Sequence, residues 1–101
     1  MTTPTTLPTY EDFLPHVGTG FGISSEGEDD VLTLTKVEPG RASPIDGQTA
    51  FSLSFTGARN DAMFHSHTFD LTHEVLPPMW ILISPTGRNE DGTFNYEAVF
   101  N

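Results

Sequence analysis

The last quarter of the chain constrains the fold most. Trp80-Ile81-Leu82-Ile83-Ser84-Pro85-Thr86-Gly87 is an apolar run rich in β-branched residues, and Phe94-Asn95-Tyr96-Glu97-Ala98-Val99-Phe100-Asn101 largely alternates apolar with polar. Between them lies Asp91-Gly92, a dipeptide that tolerates the positive φ many hairpin turns need. The two runs therefore read as the arms of a β-hairpin. Because strand side chains alternate, Phe94, Tyr96, Ala98 and Phe100 fall on one face. A strand so close to the end of the sequence would fray unless it were tied into a sheet. Its aromatic face implies that other strands cover it.

Upstream, the same reading finds four more strands. Thr19, Phe21 and Ile23 alternate, and Val31 to Val37 is a second strand in which Leu32 and Leu34 share a face. Val37 breaks that parity, which suits a bulge near Lys36. Phe51-Ser52-Leu53-Ser54-Phe55 is the clearest period-2 segment. Thr68 to His73 puts Phe69, Leu71 and His73 on one face. Ser24 to Asp30, Glu38 to Gln48, Gly57 to Ala62 and Glu74 to Pro78 read as turns and loops, with Pro39-Gly40 and Asp46-Gly47 as breakers. The acidic run Glu26, Glu28, Asp29, Asp30 lacks the alternating oxygen ligands of a calcium loop and reads as a solvated turn. Trp80, beside Ile81-Leu82-Ile83, reads as a core residue.

The N-terminal side differs. Residues 1–8 are Thr- and Pro-rich and are expected to form a flexible arm. Thr9 is a candidate N-cap for a short helix, with Asp12 as an imperfect capping-box partner, and Phe13, Leu14 and Val17 form its apolar stripe. Pro15 limits that helix to a turn or two. It is expected to plug one end of the sheet. With 101 residues there is room for one domain and not two. The expected architecture is all-β, a six-stranded antiparallel small barrel or sandwich over residues 9–101 with a short N-terminal helix.

Composition excludes several functions. Four Lys and Arg stand against fourteen Asp and Glu, a net charge of −10. Phosphate binding needs clustered cations, so neither nucleic acid nor an anionic membrane is an expected partner. There is no cysteine, hence no disulfide, thiolate zinc site or cysteine nucleophile. No basic, apolar leader opens the sequence and no apolar run is long enough to span a bilayer, so the expected location at synthesis is cytoplasmic. Neither a nucleophile elbow nor a phosphate-cradling glycine loop is present.

One constellation carries chemistry. His65-Ser66-His67 places two imidazoles on one face of an extended segment, and His73 shares their parity, with Glu74 beside it. His65, His67 and His73 are therefore the candidate ligands of a divalent metal such as zinc. The His-x-His pattern is similar to the first motif of cupin barrels. Leu71 and Thr72, however, stand where the cupin glutamate belongs, and Glu90 stands where its second-motif histidine belongs. The competing reading makes His73 a packed fold residue and leaves His65 and His67 at a strand edge. His16 reads as a surface or capping residue.

Other segments resemble a small bacterial family of about this length whose function is unknown. They are Phe13-Leu14-Pro15-His16-Val17-Gly18-Thr19-Gly20-Phe21, Phe51-Ser52-Leu53-Ser54-Phe55-Thr56-Gly57, Phe69-Asp70-Leu71-Thr72-His73, Ile81 to Gly87, and the closing Tyr96-Glu97-Ala98-Val99-Phe100-Asn101. The resemblance spans residues 13–101. Its members tend to lie beside tail-collar-type proteins of phage-tail-like systems. It implies a non-catalytic accessory part of an assembly and supports His73 as a fold residue. The His65-Ser66-His67 segment and Pro77-Pro78 depart from the family pattern. The expected function is a structural or protein-interaction module, not an enzyme and without a cofactor. It would work with a protein partner or by self-association into a homo-oligomer. The alternative is a metal-binding barrel built on the His-x-His pair.

Overall fold

The computed structural model describes residues 10–25, 27–42, 49–61 and 63–100. The arm at residues 1–8 and the Thr9 cap lie outside the described residues. A four-residue helix, α1 (Tyr10–Phe13), runs into a single 3-10 turn over Leu14–His16. Six strands follow: β1 (Gly20–Ser25), β2 (Glu28–Ala42), β3 (Thr49–Gly57), β4 (His67–Leu71), β5 (Met79–Arg88) and β6 (Phe94–Phe100). All pairings are antiparallel, in the order β1-β2-β3-β6-β5-β4. The sheet curls until its two edge strands meet at one bridge, Gly22 to Thr72, and the barrel is nearly closed. The expected all-β, six-stranded architecture with a short helix is the one observed. Among the described residues no helix is long and apolar enough to cross a membrane.

The barrel closes over alternating side chains. Phe21, Ile23, Leu32, Leu34, Leu53, Phe55, Leu71, Ile83, Tyr96 and Ala98 are all buried inside it. Inward and outward positions stay in phase along β2 only because of a bulge. Leu34 pairs with Phe55 and Lys36 with Ser54, so Thr35 is an extra residue. Beyond it Val37 turns inward and packs on the core. The β5–β6 hairpin closes through residues 89–93, with Gly92 at φ 91°. There Asp91 Oδ1 accepts from the Thr93 N–H at 3.0 Å and the Thr93 hydroxyl at 2.6 Å. Those bonds hold the Asp91 carboxyl below its ordinary pKa.

The helix is a plug. Too short to stand alone, it is held by Phe13, which is fully buried. The Phe13 ring centroid lies 5.8 Å from those of Phe51 and Phe100 and 6.3 Å from that of Phe21. Phe51 and Phe100, cross-strand partners, stack at 4.5 Å and 7° beneath it.

Three expectations change. The Glu38–Gln48 loop is shorter, because β2 pairs on through Pro39–Phe51 to Ala42–Thr49. Cross-strand pairing here outweighs the local turn signals, with an irregularity between Pro39 and Ala42 to absorb the proline. The acidic run is not simply a solvated turn. Glu28, Asp29 and Asp30 are the first residues of β2, and Asp30 is 5% exposed. Trp80 is not in the core. Met79, Ile81 and Ile83 take the inward positions of β5, so Trp80 and Leu82 face out.

Candidate functional site

Two features of the barrel surface stand out. The first is the seam between β1 and β4. Gly22 N–H donates to the Thr72 carbonyl at 2.8 Å, and Thr72 N–H donates back at 3.0 Å. A Cβ on residue 22 would lie 2.8 Å from Thr72 Oγ1, so a larger residue there would have to push the Thr72 hydroxyl aside. Past that bridge the strands splay into an open cleft of about 460 Å³. Buried Phe64 and Phe69 line it, their rings edge-to-face at 5.6 Å. Ser25, Glu28, Met63, His65, Ser66 and His67 also line it.

His65 and His67 thus share one cleft with a carboxylate. Among the described residues, however, no three His, Asp or Glu side chains come together as a metal ion would require. His67 packs its ring at 5.4 Å on Phe69. Glu28 is turned toward Arg59 Nη1 at 3.4 Å, and Arg59 also makes a two-pronged contact with Asp61 at 2.9 and 3.0 Å. That contact lowers the Asp61 pKa.

His73 stands apart, six residues further along extended chain from His67, roughly 20 Å. Its Nδ1 accepts the backbone N–H groups of Val75 and Leu76 at 3.0 and 3.1 Å, which puts the proton on Nε2. Nε2 donates to Thr19 Oγ1 at 2.9 Å, and Thr19 donates on to the His16 carbonyl at 2.6 Å. The ring sits 4.4 Å from Phe21 and 4.7 Å from His16. This chain ties the 3-10 turn to the β4–β5 connection.

Burial, aided by the neighbouring His16 and opposed by Glu74, holds the His73 pKa below the ordinary 6.5. The unfolded chain therefore takes up a proton that the folded chain resists. The stability carried by neutral His73 is complete above pH about 6.5 and drains away as the pH falls toward the lower folded value. Urea midpoints should fall between pH 7.5 and 5.5. In His73→Asn, whose amide oxygen can still accept the two N–H bonds, that part of the slope should vanish.

The second feature is the outer wall of β5 and β6. Trp80 is 70% exposed, Leu82 58% and Val99 59%. Trp80 and Leu82 are alternate residues on one face. Val99 has the same outward parity, two residues beyond the Ser84–Glu97 pair. The cross-strand neighbours on this wall are polar or acidic: Asp70 opposite Trp80, Thr68 opposite Leu82, Ser52 opposite Val99. Glu38 lies opposite Ser52 and holds Lys36 at 3.3 Å. Taking Trp80 for a core residue hid this wall. The signal was the alternation Met79, Ile81, Ile83, which leaves Trp80 and Leu82 nowhere to go but out.

Tyr96 and Asp30 are structural. The Tyr96 hydroxyl accepts the Phe64 N–H at 3.0 Å, and burial raises its pKa. Asp30 Oδ1 accepts three backbone N–H groups, from Val31, Ala58 and Arg59, at 2.7, 3.1 and 3.2 Å.

Comparison with known proteins adds one match. No curated protein and no solved structure matches the chain. A family model, described as a domain of unknown function (DUF6916), matches residues 8–100. With nearly the whole chain covered, this protein belongs to the DUF6916 family.

Proposed function

We propose that this chain is a non-catalytic protein-interaction module, an accessory subunit of a multi-subunit assembly of the phage-tail-like kind that its sequence resemblance implies. The observation that carries the reading is the exposed Trp80–Leu82–Val99 wall. Scattered apolar residues on a surface are ordinary, but a tryptophan and two aliphatic side chains aligned on one wall form a patch that water solvates poorly. Tryptophan is also the residue most enriched where interfaces concentrate their binding energy.

The rim argues for a different protein rather than a second copy. Asp70, Glu97 and Glu38 surround the patch, and Lys36 beside them is already paired with Glu38. Two such walls face to face would bring acid against acid, on chains that each carry a net charge of −10. A partner with an apolar centre and a basic rim is complementary. The purified chain should therefore scatter light as an 11.1 kDa monomer. A Trp80→Asp, Leu82→Asp double variant should keep its melting temperature yet lose partners that co-purify with the parent. A larger species that falls apart in the double variant would instead make this wall a self-association surface.

A further inference from the structure

Independently of the outer wall, we infer that Met63, His65 and His67 are the ligands of a monovalent copper ion held at the mouth of the cleft. The first support is which donors are left to bind. All three side chains line the one cleft and all three are exposed, Met63 at 38%. Among the described residues no hydrogen bond or ion pair engages the Met63 sulfur or the ring nitrogens of His65 and His67. The His67 ring packs edge-to-face on Phe69 at 5.4 Å and 76°, a contact that limits how it can turn. The other candidate donors are committed elsewhere. Glu28 pairs with Arg59, and both ring nitrogens of His73 are hydrogen-bonded, to Thr19 and to the Val75 and Leu76 amides. Fully extended chain would set residues 63 and 67 about 13 Å apart. The bend at Ser66 shortens that span.

The second support is the chemistry of the set. Two imidazoles and a thioether are neutral donors. A structural zinc site takes four ligands drawn from thiolate, imidazole and carboxylate, and thioether is not among them. Thioether sulfur selects copper(I) instead, an ion content with three ligands.

The surroundings favour the same ion. Phe64 and Phe69 are buried behind the ligands, with their rings edge-to-face at 5.6 Å. An apolar backing makes charge costly, and one positive charge is held there more cheaply than two. The net charge of −10 draws cations to the surface.

The test uses the whole chain, kept free of oxygen and labelled with ¹³C at its methionine methyls, with copper(I) added as its acetonitrile complex. The Met63 methyl resonance should shift and saturate at one equivalent, while that of Met79, buried in the barrel, should stay in place. Zinc(II) should leave the Met63 methyl where it is. In competition with the chelator ferrozine, Met63→Leu, His65→Ala and His67→Ala should each weaken copper(I) binding by at least about tenfold. His16→Ala, outside the cleft, should bind as the parent does. The methyl shift is read in the parent chain, so the test stands even if a variant fails to fold. No saturable shift at Met63, a shift at another methionine in its place, an equal shift with zinc(II), or a folded Met63→Leu protein that binds copper(I) as tightly as the parent would overturn the inference.

Discussion

Replacing Asp30 with alanine is expected to destabilise the protein by about 3–5 kcal/mol, out of the 5–15 kcal/mol typical of a domain. One carboxylate oxygen accepts three backbone N–H bonds, from its own strand at Val31 and from the chain leaving β3 at Ala58 and Arg59. Alanine removes the common acceptor; the Ala58 N–H keeps the Val31 carbonyl at 3.0 Å, but the Val31 and Arg59 N–H groups lose their partner, each at about 1–3 kcal/mol if water cannot replace it. Asp30→Asn keeps an oxygen in reach and should retain more than half of the lost stability. Glu28→Ala is the contrast. It removes a solvent-exposed ion pair to Arg59 and should leave the urea midpoint close to the parent's. Equal effects for Asp30→Ala and Glu28→Ala would refute the role given to Asp30.

Phe13→Ala should cost a similar amount, about 3–5 kcal/mol, by a different route. Phe13 has no exposed surface and fills the barrel end among Phe21, Phe51 and Phe100. Its helix has only four residues, with a 3-10 turn beyond, and cannot persist without that anchor. Truncation should therefore release residues 10–16 as a unit and uncover the stacked Phe51–Phe100 pair. The expected readouts are a melting temperature lower by about 15 °C or more and fast amide exchange at Gly18 and Thr19. The amide of Gly18 bonds the Leu34 carbonyl, and that of Thr19 the His16 carbonyl, so both report the attachment of the plug. Phe13→Leu, which refills most of the volume, should recover most of the loss.

Where local alternation decides a structure, the fold could be read in advance. The parity break between Leu34 and Val37 marked a bulge, and the register places it at Thr35. The alternation of Phe94, Tyr96 and Ala98 marked a strand with a covered face, and Tyr96 and Ala98 are indeed buried. What stayed hidden depends on partners far away in sequence. Asp30 shares the inward parity of Leu32 and Leu34 and Asp29 does not, but nothing local shows that Asp30 accepts bonds from residues 28 and 29 positions away. His73 was legible as a packed residue, but its bond to Thr19, 54 positions earlier, was not. The seam cleft depends on strand order, because it forms where the two edge strands fail to zip. The Trp80 wall could have been seen, since two faces of one strand cannot both be inside a small barrel.

The Trp80–Leu82–Val99 wall is proposed to meet another protein. Its most direct test is site-specific photo-crosslinking in the source cells, with a benzoylphenylalanine placed at position 80, 82 or 99 in turn and at Thr33, exposed on β2, as the reference. One discrete adduct is expected, heavier than two copies of this chain, shared by the three wall positions and missing from Thr33. Adducts that are absent from the wall, or equally strong from Thr33, would contradict it.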